Sequence, residues 1–152
     1  MPDSTETRIA AATGFVKQKA YSKAIPLLKA IRKDEPENEI ALGMLAAVHA
    51  EIGMRELAIE EYRGVLGINP ANHLARFQLG LMQFIDDQPE EALDSWKPML
   101  EIEQEFMANY HGALALIQLA RPDEAAPLLE RARSNMPQDH PLRPDLMRVL
   151  EQ

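Results

Sequence analysis

Alanine returns at a fixed step along this chain. The step from Ala24 to Ala58 is repeated from Ala58 to Ala92, and Ala125 falls one position short of the next. Proline keeps the same step from Pro36 to Pro70, and Pro137 completes two more, again one position short. A period of about 34 residues means one supersecondary unit stacked on its own copies, since a single unit cannot bury its apolar face alone. The stretch Glu39 to Pro70 shows what the unit is. Two amphipathic patterns flank a short break at Ile52-Gly53-Met54-Arg55. Leu42, Leu45, Ala46 and His49 lie along one face of the first, and Ala58, Tyr62, Val65 and Leu66 along one face of the second, both at helical spacing. Asn69-Pro70 stops the second helix, because proline cannot continue it and disfavours helical geometry in the residue before. The unit is a helix pair, and four pairs are expected.

The first pair is expected to open with Ser4 or Thr5 as cap, after a frayed end at Met1 to Asp3. Its first helix runs to about Gln18 with Ile9, Ala12, Phe15 and Val16. Its second runs from near Ser22 to Asp34, with Pro26 close to the first turn, where a missing N–H costs little. Asn72 is the expected cap of the third pair. Pro89 suits the first position of that pair's second helix, and Pro98, well inside it, predicts a kink. The fourth pair spans about Phe106 to Met136, with one residue missing near its internal turn. A last helix at about 142–151, with Leu142, Leu146, Met147, Val149 and Leu150 in one stripe, is expected to cover the open end of the stack.

Composition excludes several classes. The net charge is -8, from 16 basic and 24 acidic residues, with no dense basic run. Nucleic acid and anionic membranes are therefore poor partners. No stretch approaches 18 consecutive apolar residues, so no membrane span is expected. The opening MPDSTETR has no apolar run of the signal-peptide kind, so secretion is not indicated and a cytoplasmic location is expected. There is no cysteine, which removes disulfides, thiolate metal sites and thiol nucleophiles. The histidines His49, His73, His111 and His140 form no ligand pair at helical spacing. The carboxylates of Asp86-Asp87, Glu90-Glu91 and Glu101-Glu103-Glu105 fall in turns or on solvent faces, without the converging geometry acid–base chemistry needs. No enzyme activity, metal or cofactor is expected.

The second unit, through Leu42, Leu45, Ala46, His49, Ala58, Tyr62 and Pro70, resembles the tetratricopeptide repeat. The third matches through Leu79, Gly80, Ala92 and Trp96, but departs at Arg76, Gln83 and Gln104. The first matches through Phe15, Ala24, Leu28 and Pro36 and departs at Arg8; the fourth matches through Tyr110, Ala125, Leu129 and Pro137. The recurring alanines fit places where paired helices approach closely. The resemblance implies an all-α, right-handed α-α superhelix of about nine helices. It implies a single domain over 1–152, with repeats at about 5–36, 39–70, 73–104 and 106–137.

In that family the first helix of each pair lines a concave surface that receives a peptide or a partner's helix. One subset clamps acidic chaperone tails with cations. The matching places here, Ile9, Thr13, Met44, Leu74 and Gln78, or one unit along Gly43, Ala47, Gln78, Ala108 and Gly112, hold no cation, so a terminal carboxylate has no charge-assisted partner. The places are largely apolar. Leu74, Phe77, Leu81 and Phe84 form one stripe, flanked in family register by Ile40, Met44 and Ala47 on one side and by Gly112 and Ala115 on the other, with His111, beside Tyr110, also expected to face the groove. This suits an apolar or amphipathic segment of another protein. An alternative register rotates the third first-helix and puts Phe77 and Phe84 into the core. The reading is a protein-interaction scaffold, with a chaperone-like role as one version. A homodimer built on the same face and an accessory subunit of an enzyme complex are the alternatives.

Overall fold

A computed structural model describes residues 4–152; the frayed end expected at Met1–Asp3 lies outside them. Among the described residues there are nine α-helices and no strands. They are α1 (Thr5–Lys17), α2 (Tyr21–Asp34), α3 (Glu39–Glu51), α4 (Arg55–Ile68), α5 (His73–Ile85), α6 (Pro89–Leu100), α7 (Phe106–Gln118), α8 (Pro122–Asn135) and α9 (Arg143–Leu150). The chain divides into two compact units, Met1–Ala75 and Arg76–Gln152.

The helix starts locate the short fourth step. Within a pair, the offset from the first start to the second is the same in all four, from Thr5 to Tyr21 as from Phe106 to Pro122. Between pairs, the offset is equal from Tyr21 to Glu39 and from Arg55 to His73, but one shorter from Pro89 to Phe106. The missing residue is therefore lost between α6 and α7, which corrects its expected place at the fourth pair's internal turn. Helix α6 is two residues shorter than α2 and α4, with 12 against 14, and the loop that follows it is one residue longer than theirs, which leaves the step one short. It ends at Leu100, just beyond Pro98, so that ring's missing donor falls in the last turn. Pro89 and Pro122 open their helices. Pro26 and Pro127 sit just past the first turn, at the sixth helical position. Ser22 and Asp123, whose carbonyls lose a donor there, are exposed residues.

Every internal turn is closed in the same way. Lys19, Gly53, Asp87 and Ala120 take positive φ of 56°, 86°, 59° and 58°. In each, the left-handed residue donates to the carbonyl three back, and the next residue donates to the carbonyl five back: Lys19 to Val16 and Ala20 to Phe15, and likewise Ala120 to Ile117 and Arg121 to Leu116. This double bond pattern satisfies carbonyls that the helix end orphans. At the helix starts, the side chains of Ser4, Asn38 and Asn72 accept from the backbone N–H groups of Thr7, Ala41 and Ala75.

One pair of facing positions varies between repeats in an informative way. In the first pair the positions hold Phe15 and Leu27, and in the fourth Leu116 and Leu128, all within apolar clusters. In the second they hold His49 and Glu61, both buried, with Nδ1 2.6 Å from Oε1. In the third, one repeat on, they hold Gln83 and Ser95, whose hydroxyl donates to the Gln83 amide oxygen at 2.5 Å. Gln83 thus departs from the apolar pattern together with its facing residue. Burial pushes the Glu61 carboxyl up, opposed by His49, Arg32 and Lys29.

In the first unit the core gathers Ala12, Ala24, Leu28, Ile31, Ala41 and Leu45. In the second unit, two clusters stand out among the described residues. One, around Trp96, joins Ala92, Met99, Ala108 and Ala115. The other, around Tyr110, Leu116, Leu128 and Leu129, is completed by Leu146 of α9, which is 0% exposed. Of the stripe expected on that last helix, Leu142, Val149 and Leu150 pack against the cluster, but Met147 is exposed, since one residue on from the buried Leu146 turns it about 100° round the helix.

Candidate partner-binding face

Among the residues marked by sequence, the second unit brings together Phe77, Leu81, Phe84 and His111. Trp96 is their floor. Its indole is 0% exposed and donates to the Phe77 carbonyl oxygen at 3.0 Å, which fixes the ring. It can lie that close to α5 because position 80 is glycine: a Cβ there would come 2.1 Å from Trp96 Nε1. Phe77 stacks on Trp96 at 6.1 Å with an interplanar angle of 22°, and Phe84 tilts against it at 6.3 Å. Phe77, Leu81 and Phe84 are partly buried and pack on the Trp96 cluster. The buried positions of α5 are instead Ala75, Leu79, Gly80, Met82 and Gln83. The rotated register, with Phe77 and Phe84 deepest, is not the one adopted.

From α7, His111 places its ring edge-on to Phe77 at 5.7 Å, 6.1 Å from Trp96 and 5.1 Å from Tyr110. Its Nδ1 lies 2.9 Å from the Met107 carbonyl oxygen, which can only accept. The neutral ring therefore carries its proton on Nδ1 and keeps Nε2 as an acceptor. Burial holds its pKa below the usual histidine value, partly offset by the Met107 carbonyl. Sequence reasoning missed Trp96 as the floor of this face and marked it only as a repeat match; Gly80, one helix away, was the available signal.

Gly112 and Ala115, expected beside the stripe, are buried instead, Gly112 against Leu100 and Ala115 in the Trp96 cluster; the remaining expected residues belong to the first unit. Ile40 and Leu74 are 56% and 70% exposed, and Ala47 is exposed. Met44 is partly buried, with the Thr13 hydroxyl 3.9 Å from its sulfur. Among the described residues, no group of three or more His, Cys, Asp or Glu is placed to hold a metal ion, and no helix is long and apolar enough to cross a membrane. His49 is paired with Glu61, and His140 accepts from the Leu142 N–H at 3.2 Å.

Helix pairs that repeat about every 34 residues, with small residues at the close contacts, are of the tetratricopeptide type. The comparisons agree. The chain is 29% identical over 83 residues to small glutamine-rich tetratricopeptide repeat-containing protein 2 of Saccharomyces cerevisiae, across 55% of this chain and 22% of that protein. It is 34% identical over 94 residues to general transcription factor 3C polypeptide 3 of Homo sapiens, across 59% of this chain and 10% of that one. The matched region thus spans about a fifth and a tenth of those relatives. Among solved structures, a MamA mutant aligns with a TM-score of 0.75 at 25% identity, covering 88% of this chain and 78% of that one. A second MamA structure gives 0.78 at 24% identity, covering 94% and 78%. No family profile matches the chain.

Proposed function

We propose that this chain is a non-enzymatic scaffold that binds an apolar or amphipathic segment of another protein on the face formed by α5 and α7. The observation that carries the reading is the half-buried row Phe77, Leu81 and Phe84 over a fully buried Trp96. Rings held rigid from beneath and open above supply contact area at little entropic cost, which is how anchoring residues of interfaces behave. The repeat type supports it, since the yeast relative named above carries the same kind of repeat.

The test is capture of a partner from the native organism, followed by rebinding of the purified partner to wild type and to Phe77→Glu/Leu81→Glu. A milder variant, Leu81→Ala, accompanies it, because Phe77 also packs on Trp96. Circular dichroism establishes that each variant folds. The expected result is binding lost in the double variant and weakened in Leu81→Ala. Full binding by both folded variants would overturn the reading and move attention to the other helix faces.

A further inference from the structure

The charge of this chain is not evenly spread. Residues 76–118, which hold α6, α7 and α5 from Arg76 onward, contain eight carboxylates and two basic residues, Arg76 and Lys97. Their net charge is -6, out of -8 for the whole chain. Arg76 is partly buried and turns its guanidinium toward α6, where Nη1 lies 3.4 Å from the Ser95 carbonyl oxygen. Lys97 is exposed on α6.

The carboxylates stand at both ends of the apolar face. At one end, Asp87 closes α5, and its carboxylate accepts from the Gln118 side-chain amide at 2.7 Å. That places the charge between the C-terminal ends of the two helices that carry Phe84 and His111. At the other end, Glu101, Glu103 and Glu105 occupy the loop leading into α7. That loop is held in place by the fully buried Asn109, whose amide donates to the Ile102 and Glu105 carbonyl oxygens at 3.0 and 2.8 Å. An apolar row with acidic groups at each end discriminates by charge. Exposed charges act over roughly 10 Å at moderate salt, and complementary potentials raise the on-rate while like charges reject the wrong partner.

Resting on the α5–α7 reading above, we infer that the segment this face accepts is a basic amphipathic helix. Its apolar stripe lies over Phe77, Leu81 and Phe84, and its Lys or Arg residues reach the carboxylates at the two ends.

Three labelled synthetic peptides of about 18 residues, or five helical turns, test this by fluorescence anisotropy with the full chain. Two share one leucine stripe and differ in having Lys or Glu on the polar face. The third has the Lys composition with its leucines shuffled out of register. The Leu/Lys peptide is expected to bind at least about tenfold tighter than Leu/Glu, and to weaken as salt rises. Asp87→Asn/Glu101→Gln/Glu103→Gln, all at exposed positions, is expected to lose most of that preference with an unchanged circular dichroism spectrum. Equal binding of the Lys and Glu peptides overturns the charge assignment and leaves the face reading intact. Shuffled peptide binding as tightly as the amphipathic one, or no binding of Leu/Lys at about 100 µM, overturns the inference. Undiminished binding to folded Phe77→Glu/Leu81→Glu overturns the face reading itself.

Discussion

At the four left-handed turn positions the backbone demands the same conformation of four different residues. Only Gly53 meets it without steric cost, while Lys19, Asp87 and Ala120 carry a Cβ into a region that disfavours one. Ala120→Gly is expected to raise stability by about 0.5–1 kcal/mol, and Gly53→Ala to lower it by about 1 kcal/mol, in urea unfolding. Tyr62 gives a pH signature. Burial, with Glu61 and Glu51 nearby, pushes its hydroxyl up to about 12. The fold holds this group protonated more tightly than the unfolded chain does. The stabilisation is therefore complete below the ordinary tyrosine value of 10.0 and is lost as pH rises toward 12. Tyr62→Phe is expected to flatten the loss of stability across that window by roughly 2–3 kcal/mol, read from unfolding midpoints at stepped pH. At this scale the sequence was legible where residue type carries the message. Gly53 marked its turn and Asn72 its cap, but Lys19 and Ala120 have no residue-type signal for positive φ. The pairing of His49 with Glu61 was also hidden, because it exists only once two helices dock.

Helix α5 shows how one glycine places a whole element. Gly80 lets α5 rest against Trp96, whose ring is fully buried and tied to the Phe77 carbonyl. Gly80→Ala is expected to lower stability by about 2 kcal/mol or more despite the better helix propensity of alanine, because the indole cannot retreat. Gly112→Ala is the control. Its Cβ would come 2.6 Å from Leu100 Cδ2, the tip of a flexible and partly buried side chain. That variant is expected to fall within about 1 kcal/mol of wild type. Thermal melts of the two proteins side by side check the order. The row Phe77, Leu81 and Phe84 was legible because helical spacing alone puts it on one face. Its depth was not, since depth depends on Trp96 arriving from α6. The short α6 was missed for a related reason: a shortened step tells that a residue is gone, but only the helix ends tell where.

Across the whole molecule, stability in a repeat array is close to a sum over neighbouring contacts, so an end element matters mainly to the element beside it. Leu146 of α9 is fully buried against the cluster that contains Leu128, Leu129 and Ala132 of α8. Leu146→Ala is expected to cost about 2–5 kcal/mol. Hydrogen exchange is expected to quicken first in α8 and α9, with the amides of α1 and α2 unchanged. The repeat period and the helix count were legible at this scale because they repeat. The division into two units was not, because contact density has no signature in periodicity.

The facing positions that hold His49 with Glu61 and Gln83 with Ser95 have a consequence for assembly. Helix pairs of one type in a single chain carry a risk of docking with the wrong mate. A second helix bearing Glu61 that met a first helix bearing Phe15 or Leu116 would leave that carboxyl without its imidazole in an apolar pocket, at a cost of roughly 3–5 kcal/mol. The two polar pairs therefore work as address labels.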